Sequence, residues 1–157
     1  MIIAFLVAVL IVVADQLIKI LVVSTLKTGE PVVIFNGLVQ FVYCENRGMA
    51  FGMLQDQRWI FIVFTVAVII GVIIYMIKTR PKSKFLLATF ALILGGGIGN
   101  LIDRIFLGYV VDYIQLSFFS PVCNFADYCI TGGTVMLIIY ILFFSQANNS
   151  AKIKRTE

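Results

Sequence analysis

The chain has 157 residues, of which 61% are hydrophobic and 13% are charged. Soluble domains carry about 25% charged residues, so this composition excludes an ordinary soluble domain and predicts one integral membrane domain over residues 1–157. The net charge of +4 does not indicate nucleic-acid binding, because the basic residues cluster beside apolar segments. Histidine is absent and the cysteines have no metal-type spacing, which excludes histidine-based nucleophiles and zinc proteases and predicts no metal or cofactor.

Four apolar segments can each cross a hydrocarbon core of about 30 Å, and they predict transmembrane helices at residues 2–24, 59–77, 85–106 and 128–144. The first contains Asp15 and Lys19, which lie four residues apart and can pair on one helix face. Charges inside a membrane cost about 2.5–3.5 kcal/mol each and mark functional candidates. A purely structural ion pair explains these two residues equally well.

Between the first two helices, residues 29–56 consist of short runs interrupted by Gly, Pro and Asn, unlike the long apolar segments on either side. Two β-prone runs, at residues 31–35 and 38–43, flank Asn36-Gly37, and this pattern predicts a hairpin. The segment is therefore interpreted as a small β-structured platform on the membrane surface. Asn46, in the glycine-rich turn at its end, is a candidate site residue, although turn chemistry alone accounts for an Asn there.

The distribution of Lys and Arg predicts the orientation. Basic residues fill the short connector at residues 78–84 and the tail, and such clusters stay in the cytoplasm. Both termini are therefore expected inside, with the platform and the connector at residues 108–126 on the extracytoplasmic side.

The polar residues of the second half form one block. Gly95, Gly96, Gly97 and Gly99 favour close approach of another helix. Beyond them come Asn100, Asp103 and Arg104 at helical spacing, Asp112 and Asn124 in the connector, and Asp127 before the last apolar run, where it is expected as the N-cap.

Paired carboxylates can hydrolyse a peptide without histidine or metal, since one retains a proton while the other stays basic. Asp112 has no cation beside it in sequence, whereas Asp103 adjoins Arg104 and is expected in a structural ion pair. Asp112 and Asp127 are therefore the candidate pair. On spacing alone, an ordinary loop acid and an ordinary helix cap remain the alternative.

Five blocks closely resemble the bacterial lipoprotein signal peptidases (signal peptidase II), in order and over about residues 5–144. They are Asp15-Gln16-x-x-Lys19, Asn46-x-Gly48-x-Ala50-Phe51, Gly96-x-x-Gly99-Asn100-x-x-Asp103-Arg104, Val110-Val111-Asp112-Tyr113 and Asn124-x-Ala126-Asp127. The chain departs from the family's usual residues at Met49 and Cys123, both apolar exchanges that bear on pocket shape.

The resemblance implies an all-α integral membrane protein with four transmembrane helices and a small extracytoplasmic β-structured platform. It implies a multi-pass aspartic endopeptidase of the bacterial cytoplasmic (inner) membrane, which removes the signal peptide of diacylglyceryl-modified prolipoproteins immediately before the lipidated cysteine. The implied partners are these prolipoproteins, membrane lipid and globomycin-like inhibitors. Asp112 and Asp127 would be catalytic, and the residues lining or supporting the site would be Asp15, Lys19, Asn46, Asn100, Asp103, Arg104 and Asn124.

Two other functions are weaker interpretations. A small transporter or channel component could use Asp15, Lys19 and Asp103 as a charge relay, but such proteins place charges near the midplane and often show repeated halves. Here the acids gather at one edge and no repeat is visible. A Ser-Lys protease using Ser24 and Lys19 would need two residues five apart on a helix to share a face, which the helical period disfavours.

Overall fold

The computed structural model describes residues 1–48 and 57–144. The end of the expected platform at residues 49–56, with Met49, Ala50 and Phe51 of the second block, lies outside the described residues. So does the basic tail at residues 145–157.

Four helices are long and apolar enough to cross a membrane, as predicted. They are α1 (Ile2–Leu26), α2 (Arg58–Thr79), α3 (Lys84–Phe106) and α4 (Phe125–Ile139), the last continued by a π-helical turn at Tyr140–Phe144. Ser83 caps α3, because its hydroxyl accepts a hydrogen bond from the Leu86 N–H.

The third helix is the centre of the bundle. An 18-residue apolar stretch of α3 is 61% buried, whereas the corresponding stretch is 28% buried or less in each of the other three helices. A Cβ added to Gly95 would lie 2.7 Å from the Ile11 side chain, and one added to Gly96 would lie 2.5 Å from the Ala126 carbonyl oxygen. The glycines therefore let α1 and α4 pack directly on the backbone of α3, which confirms the role predicted for them.

The described residues also form one antiparallel sheet with strand order β1-β2-β3-β4. The strands are β1 (Val32–Ile34), β2 (Val39–Asn46), β3 (Val110–Leu116) and β4 (Phe119–Cys123). The predicted hairpin is confirmed: β1 pairs with β2 through a tight turn in which Asn36 and Gly37 have φ of 54° and 88°.

The sheet differs from the prediction in its second half. Residues 108–126 were interpreted only as a connector and no strand was predicted there, yet β3 and β4 lie within them and β3 pairs with β2. This pairing joins Cys44 to Asp112 and Asn46 to Val110, so it depends on contacts distant in sequence. Val22 of α1 packs against Val111 and Tyr113, which fixes the sheet to the end of the helical bundle.

Candidate active site

Asp112 lies in the middle of β3 and is almost fully buried, with 1% of its surface exposed. Its Oδ2 accepts a hydrogen bond of 2.7 Å from Asn46 Nδ2, and its Oδ1 accepts one of 2.6 Å from Asn124 Nδ2. Burial, together with repulsion by the Asp127 carboxylate, raises the pKa of Asp112 to about 7 despite these two donors. Asp112 is therefore poised to hold or release a proton near neutral pH.

Asp127 lies in the first turn of α4, but it is not the N-cap that the sequence predicted. Asn124 is the N-cap: its Oδ1 accepts from the Asp127 N–H at 2.9 Å, and Asp127 Oδ2 accepts from the Asn124 N–H at 3.1 Å. This reciprocal capping box places Asp127 at the third helical position and starts the helix at Phe125. The carboxylate is held at a helix N-terminus, where negative charge is stabilised.

Amide side chains connect the two carboxylates. Asn124 donates to Asp112 through Nδ2 and to Asp127 through its backbone N–H. Asn100 Nδ2 donates to Asp127 Oδ1 at 2.8 Å, and Asn100 Oδ1 accepts from Asn124 Nδ2 at 3.1 Å. The structure thus brings Asp112, Asp127, Asn100 and Asn124 into one hydrogen-bonded network.

Asn46 has both of the roles weighed from the sequence. Its Oδ1 accepts from the Gly48 N–H at 3.0 Å, which is turn chemistry, while its Nδ2 donates to Asp112. The turn therefore holds the amide in the orientation that presents its N–H groups to the carboxylate.

A buried charge cluster lies behind the amides. Lys19 Nζ is 2.9 Å from Asp15 Oδ2, which confirms the predicted pair, and 3.0 Å from Asp103 Oδ2. The cation beside Asp103 is thus Lys19 and not Arg104, because neighbours in a helix point in different directions. Asp15 also accepts from the Ala126 N–H, and Asp103 from the Val111 N–H. The cluster ties α1 and α3 to α4 and β3.

The same contacts weaken the Ser-Lys alternative. The Ser24 hydroxyl donates to the Leu21 carbonyl oxygen at 2.8 Å, whereas Lys19 lies between two carboxylates. The hydroxyl and the ammonium group are thus each engaged with other partners.

Arg104 faces the cavity beside Asp127. Its guanidinium lies 5.1 Å from the centre of the Phe61 ring, and Nη1 donates to the Asn100 carbonyl oxygen at 3.4 Å. The cavity has a volume of about 400 Å³ and extends from α2 across α3 to β4 and α4. It is lined by Asn46, Gly48, Phe61, Phe64, Thr65, Gly97, Asn100, Arg104, Phe119, Pro121, Val122, Cys123, Asp127 and Ile130.

The cysteines are free thiols. Cys123 lines the cavity, where burial and the nearby Asp127 and Asp112 carboxylates raise its pKa to about 11. The thiol is therefore protonated at neutral pH.

Sequence reasoning missed two contributors to this arrangement. Gln16 Nε2 donates to Asp15, to Asp103 and to the Gly99 carbonyl oxygen, at 3.1 to 3.2 Å. The Tyr113 hydroxyl accepts from the Phe125 N–H at 3.1 Å and so fixes the start of α4 to β3. The available signals were the amide beside Asp15 in an apolar helix and the phenol beside Asp112 in a β-prone run.

Four helices that are long and apolar enough to cross a membrane, together with a buried network of carboxylates and amides at one end, define a polytopic membrane protein. Residues 7–143 match the signal peptidase (SPase) II family, and the chain belongs to that family. Family and relatives together identify a signal peptidase II protease.

Two relatives carry the name lipoprotein signal peptidase. The one from Halothermothrix orenii is 42% identical over 87% of this chain and 93% of its own length. The one from Geobacillus thermodenitrificans is 39% identical over 92% of both chains.

Two solved structures, described as bacterial membrane enzymes determined by the in meso method, share the fold. One has a TM-score of 0.82 with 30% identity and covers 88% of this chain and 87% of its own. The other has a TM-score of 0.81 with 30% identity, covering 90% and 94%.

Proposed function

We propose that this protease cleaves the signal peptide from diacylglyceryl-modified prolipoproteins immediately before the lipidated cysteine, and that Asp112 and Asp127 activate the attacking water. The observation that carries the proposal is the bridge made by Asn124, which donates one hydrogen bond to each carboxylate. Two carboxylates tied to one residue are close enough to repel, and one of them then keeps a proton.

The proton belongs on Asp112. This carboxyl is almost fully buried and has a pKa raised to about 7. Asp127 lines the cavity at a helix N-terminus, so its carboxylate is the one that meets water. Asp127 is thus the general base and Asp112 the general acid.

In the first step, Asp127 takes a proton from water as the water oxygen attacks the scissile carbonyl carbon, and Asp112 gives its proton to the carbonyl oxygen. A neutral gem-diol forms. In the second step, Asp127 returns its proton to the amide nitrogen, the C–N bond breaks, and Asp112 recovers a proton from a diol hydroxyl. The products are a carboxylic acid and the free amine of the lipidated cysteine, and the pair returns to its starting state.

The cavity is suited to a substrate that is part helix and part extended peptide. Its α2 side presents the apolar rings of Phe61 and Phe64 beside Thr65, and α2 itself is poorly buried. The signal helix would lie against α2 and the acyl chains would remain in lipid. Near the carboxylates, Val122 and Cys123 of the end strand β4 face the cavity and would pair with the extended peptide.

The proposed location follows from the same features. The sheet and the two carboxylates lie at one end of the helices, and the basic connector at residues 78–84 lies at the other. We place the connector and both termini in the cytoplasm and the site on the extracytoplasmic side of the cytoplasmic membrane. The charge-relay alternative is disfavoured, because Lys19, Asp15 and Asp103 form a closed cluster that joins helices and sheet.

The test is single-turnover cleavage of a diacylglyceryl-modified prolipoprotein by the purified protein, with the product mass identifying the bond cleaved. Asp112→Asn and Asp127→Asn should each abolish turnover while the protein still unfolds cooperatively. Asp103→Asn is the matched control: it removes a carboxylate from the Lys19 cluster and should lower the unfolding temperature but leave residual cleavage.

Normal turnover by Asp112→Asn, together with none by a well-folded Asp103→Asn, would make Asp103 the partner of Asp127. A product mass that leaves residues before the lipidated cysteine would contradict the proposed cleavage position.

A further inference from the structure

The ammonium group of Lys19 has one contact that charge neutralisation does not require. Lys19 lies within the apolar part of α1 with 3% exposure, and its two carboxylate partners already neutralise it. Its third contact is to Asn100 Oδ1, at 2.9 Å. An ammonium group has three N–H bonds, and here each has an oxygen acceptor.

This third contact determines which end of the Asn100 amide faces which neighbour. Lys19 can only donate, so the atom facing it must be the amide oxygen. The same oxygen accepts from Asn124 Nδ2, and the NH₂ group on the other side donates to Asp127 Oδ1. A flipped amide would place its NH₂ against the ammonium group and its oxygen against the carboxylate.

The fixed orientation of the Asn100 amide matters most when Asp127 is protonated. An ionised Asp127 would attract the Asn100 NH₂ group without help. A protonated Asp127 presents an O–H, which a freely rotating amide would meet with its oxygen, and that bond would stabilise the proton on Asp127. Lys19 prevents the rotation.

We propose that Lys19 is a positioning residue that keeps Asn100 a hydrogen-bond donor to Asp127 throughout the reaction. The inference rests on the proposed function, in which Asp127 takes a proton from water and returns it to the leaving amine. Asn100, held as a donor, disfavours the protonated form of Asp127 and so promotes that return. Lys19 acts through Asn100 and touches no reacting atom.

The test is a double-mutant cycle on cleavage of the diacylglyceryl-modified prolipoprotein, with kcat and KM measured separately. Lys19→Met should lower kcat by about 10- to 100-fold, the worth of a hydrogen bond from a charged group, and leave KM within about threefold. In an Asn100→Ala background, Lys19→Met should cause no further fall in kcat. Falls that multiply in the double variant would overturn the proposal, because Lys19 would then act independently of Asn100.

Gln16→Met is the matched control. Gln16 donates to the same two carboxylates, and its third bond goes to the Gly99 carbonyl oxygen and not to Asn100. This variant should lower the unfolding temperature and lower kcat by less than Lys19→Met does. A fall in kcat as large as that of Lys19→Met would show that any loosening of the cluster suffices, and would overturn the specific role of Lys19.

Two further variants guard against failure to fold. The cycle can be run in an Asp103→Asn background, where Lys19→Met leaves the cluster with the same formal charge as the natural protein.

Asn100→Asp keeps Lys19 and offers it an acceptor, but presents a carboxylate to Asp127. It should fold and lose at least tenfold in kcat, and natural kcat in this variant would overturn the proposal. If the Asp112–Asp127 assignment itself is wrong, Asp112→Asn retains turnover whatever the cycle shows, so the two failures are distinguishable.

Discussion

At the residue scale, the surroundings of Asp112 act on its pKa in opposite directions. Burial and the Asp127 carboxylate favour its protonated form, while the amide donors Asn46 and Asn124 favour the ionised form. The net result is a pKa of about 7 for a group whose usual value is 3.8. Such a carboxyl can act as an acid at neutral pH, which an exposed aspartate cannot.

This pKa predicts the alkaline limb of the pH profile. If Asp112 must be protonated to act as general acid, kcat/KM falls as pH rises through about 7, approaching tenfold per pH unit. Asn46→Ala removes a donor that lowers the pKa of Asp112, so the limb should move to higher pH. The measurement is kcat/KM for prolipoprotein cleavage between about pH 5 and 10, the range that spans these titrations.

Phe64→Leu is the control for that shift, since Phe64 lines the same cavity from α2, away from the strand that carries Asp112. The alkaline limb of the kcat/KM profile of Phe64→Leu should lie at the same pH as that of the unsubstituted protein. An unchanged limb in Asn46→Ala would contradict the assignment of Asp112 as the acid.

The residue types of the site were predictable, whereas their pairing was only partly so. Asp15 and Lys19 pair as their four-residue spacing indicated. Asp103 was expected beside Arg104, its neighbour in sequence, yet its cation is Lys19, 84 positions away on another helix. Sequence spacing reveals which residues share a helix face, but which face meets which depends on packing around α3.

At the element scale, the N-terminus of α4 combines a helix cap with the bridge between the carboxylates. Asn124 caps the helix through Oδ1 and reaches Asp112 through Nδ2, so one side chain performs both tasks. The sequence indicated a cap near this point but placed it at Asp127. Asn is as favourable a cap as Asp, and the reciprocal bond that Asp127 Oδ2 accepts from the Asn124 N–H favours the earlier start.

Asn124→Ser and Asn124→Ala separate the two tasks. Both remove the amide that reaches Asp112, but Ser can still accept from the Asp127 N–H. We expect the Ser variant to be more stable than the Ala variant by about 1 kcal/mol, with both losing turnover to the same large extent. Thermal unfolding and single-turnover cleavage measure the two effects. If the more stable Ser variant also retained more turnover than the Ala variant, Asn124 would contribute only its helix cap.

The glycines of α3 give a second prediction at this scale. Gly96 and Gly97 are neighbours, but a Cβ on Gly96 would lie 2.5 Å from the Ala126 carbonyl oxygen, and one on Gly97 would come no closer than 3.7 Å, to Thr65. Gly97 also lines the cavity. We therefore expect Gly96→Ala to destabilise the protein by about 1–3 kcal/mol, as overpacking does.

Gly97→Ala should leave stability unchanged or higher and raise KM by about fivefold, because the added methyl group occupies space proposed for the signal helix. Unfolding temperature and KM are compared for the two variants. Equal destabilisation by both, without a change in KM, would remove Gly97 from the substrate-binding surface.

The strands show where local sequence patterns are insufficient to predict the fold. The β1–β2 hairpin follows from adjacent runs and a turn dipeptide, so the sequence predicted it. The pairing of β2 with β3 joins segments separated by α2 and α3, and the strands at residues 110–123 were missed. Yet this pairing places Asp112 opposite Cys44 and close to Asn46, so it is the interaction that positions the proposed general acid.

At the scale of the whole molecule, the helices form a support for the sheet at one end. α1 leads into β1, α2 leads away from the sheet, α3 returns to β3, and α4 leaves from β4. The chain therefore reaches the sheet end along α1 and α3 and leaves it along α2 and α4. Asp112, Asp127 and the cavity lie at that end, whereas Lys78, Arg80, Lys82 and Lys84 lie at the other.

This arrangement makes the membrane orientation testable at two exposed positions. Phe118, in the turn between β3 and β4, is 75% exposed, and Lys82 is exposed in the basic connector. In a background with Cys44, Cys123 and Cys129 replaced by Ser, we introduce one cysteine at either position. A membrane-impermeant thiol reagent applied to intact cells, or to spheroplasts where an outer membrane is present, should label Phe118→Cys.

Lys82→Cys should be labelled only after the cells are permeabilised, because positive clusters stay in the cytoplasm. The cysteine-free parent is the control for background labelling. Labelling of Lys82→Cys alone in intact cells would place the carboxylate pair on the cytoplasmic face, where the proposed cleavage of exported prolipoproteins could not occur.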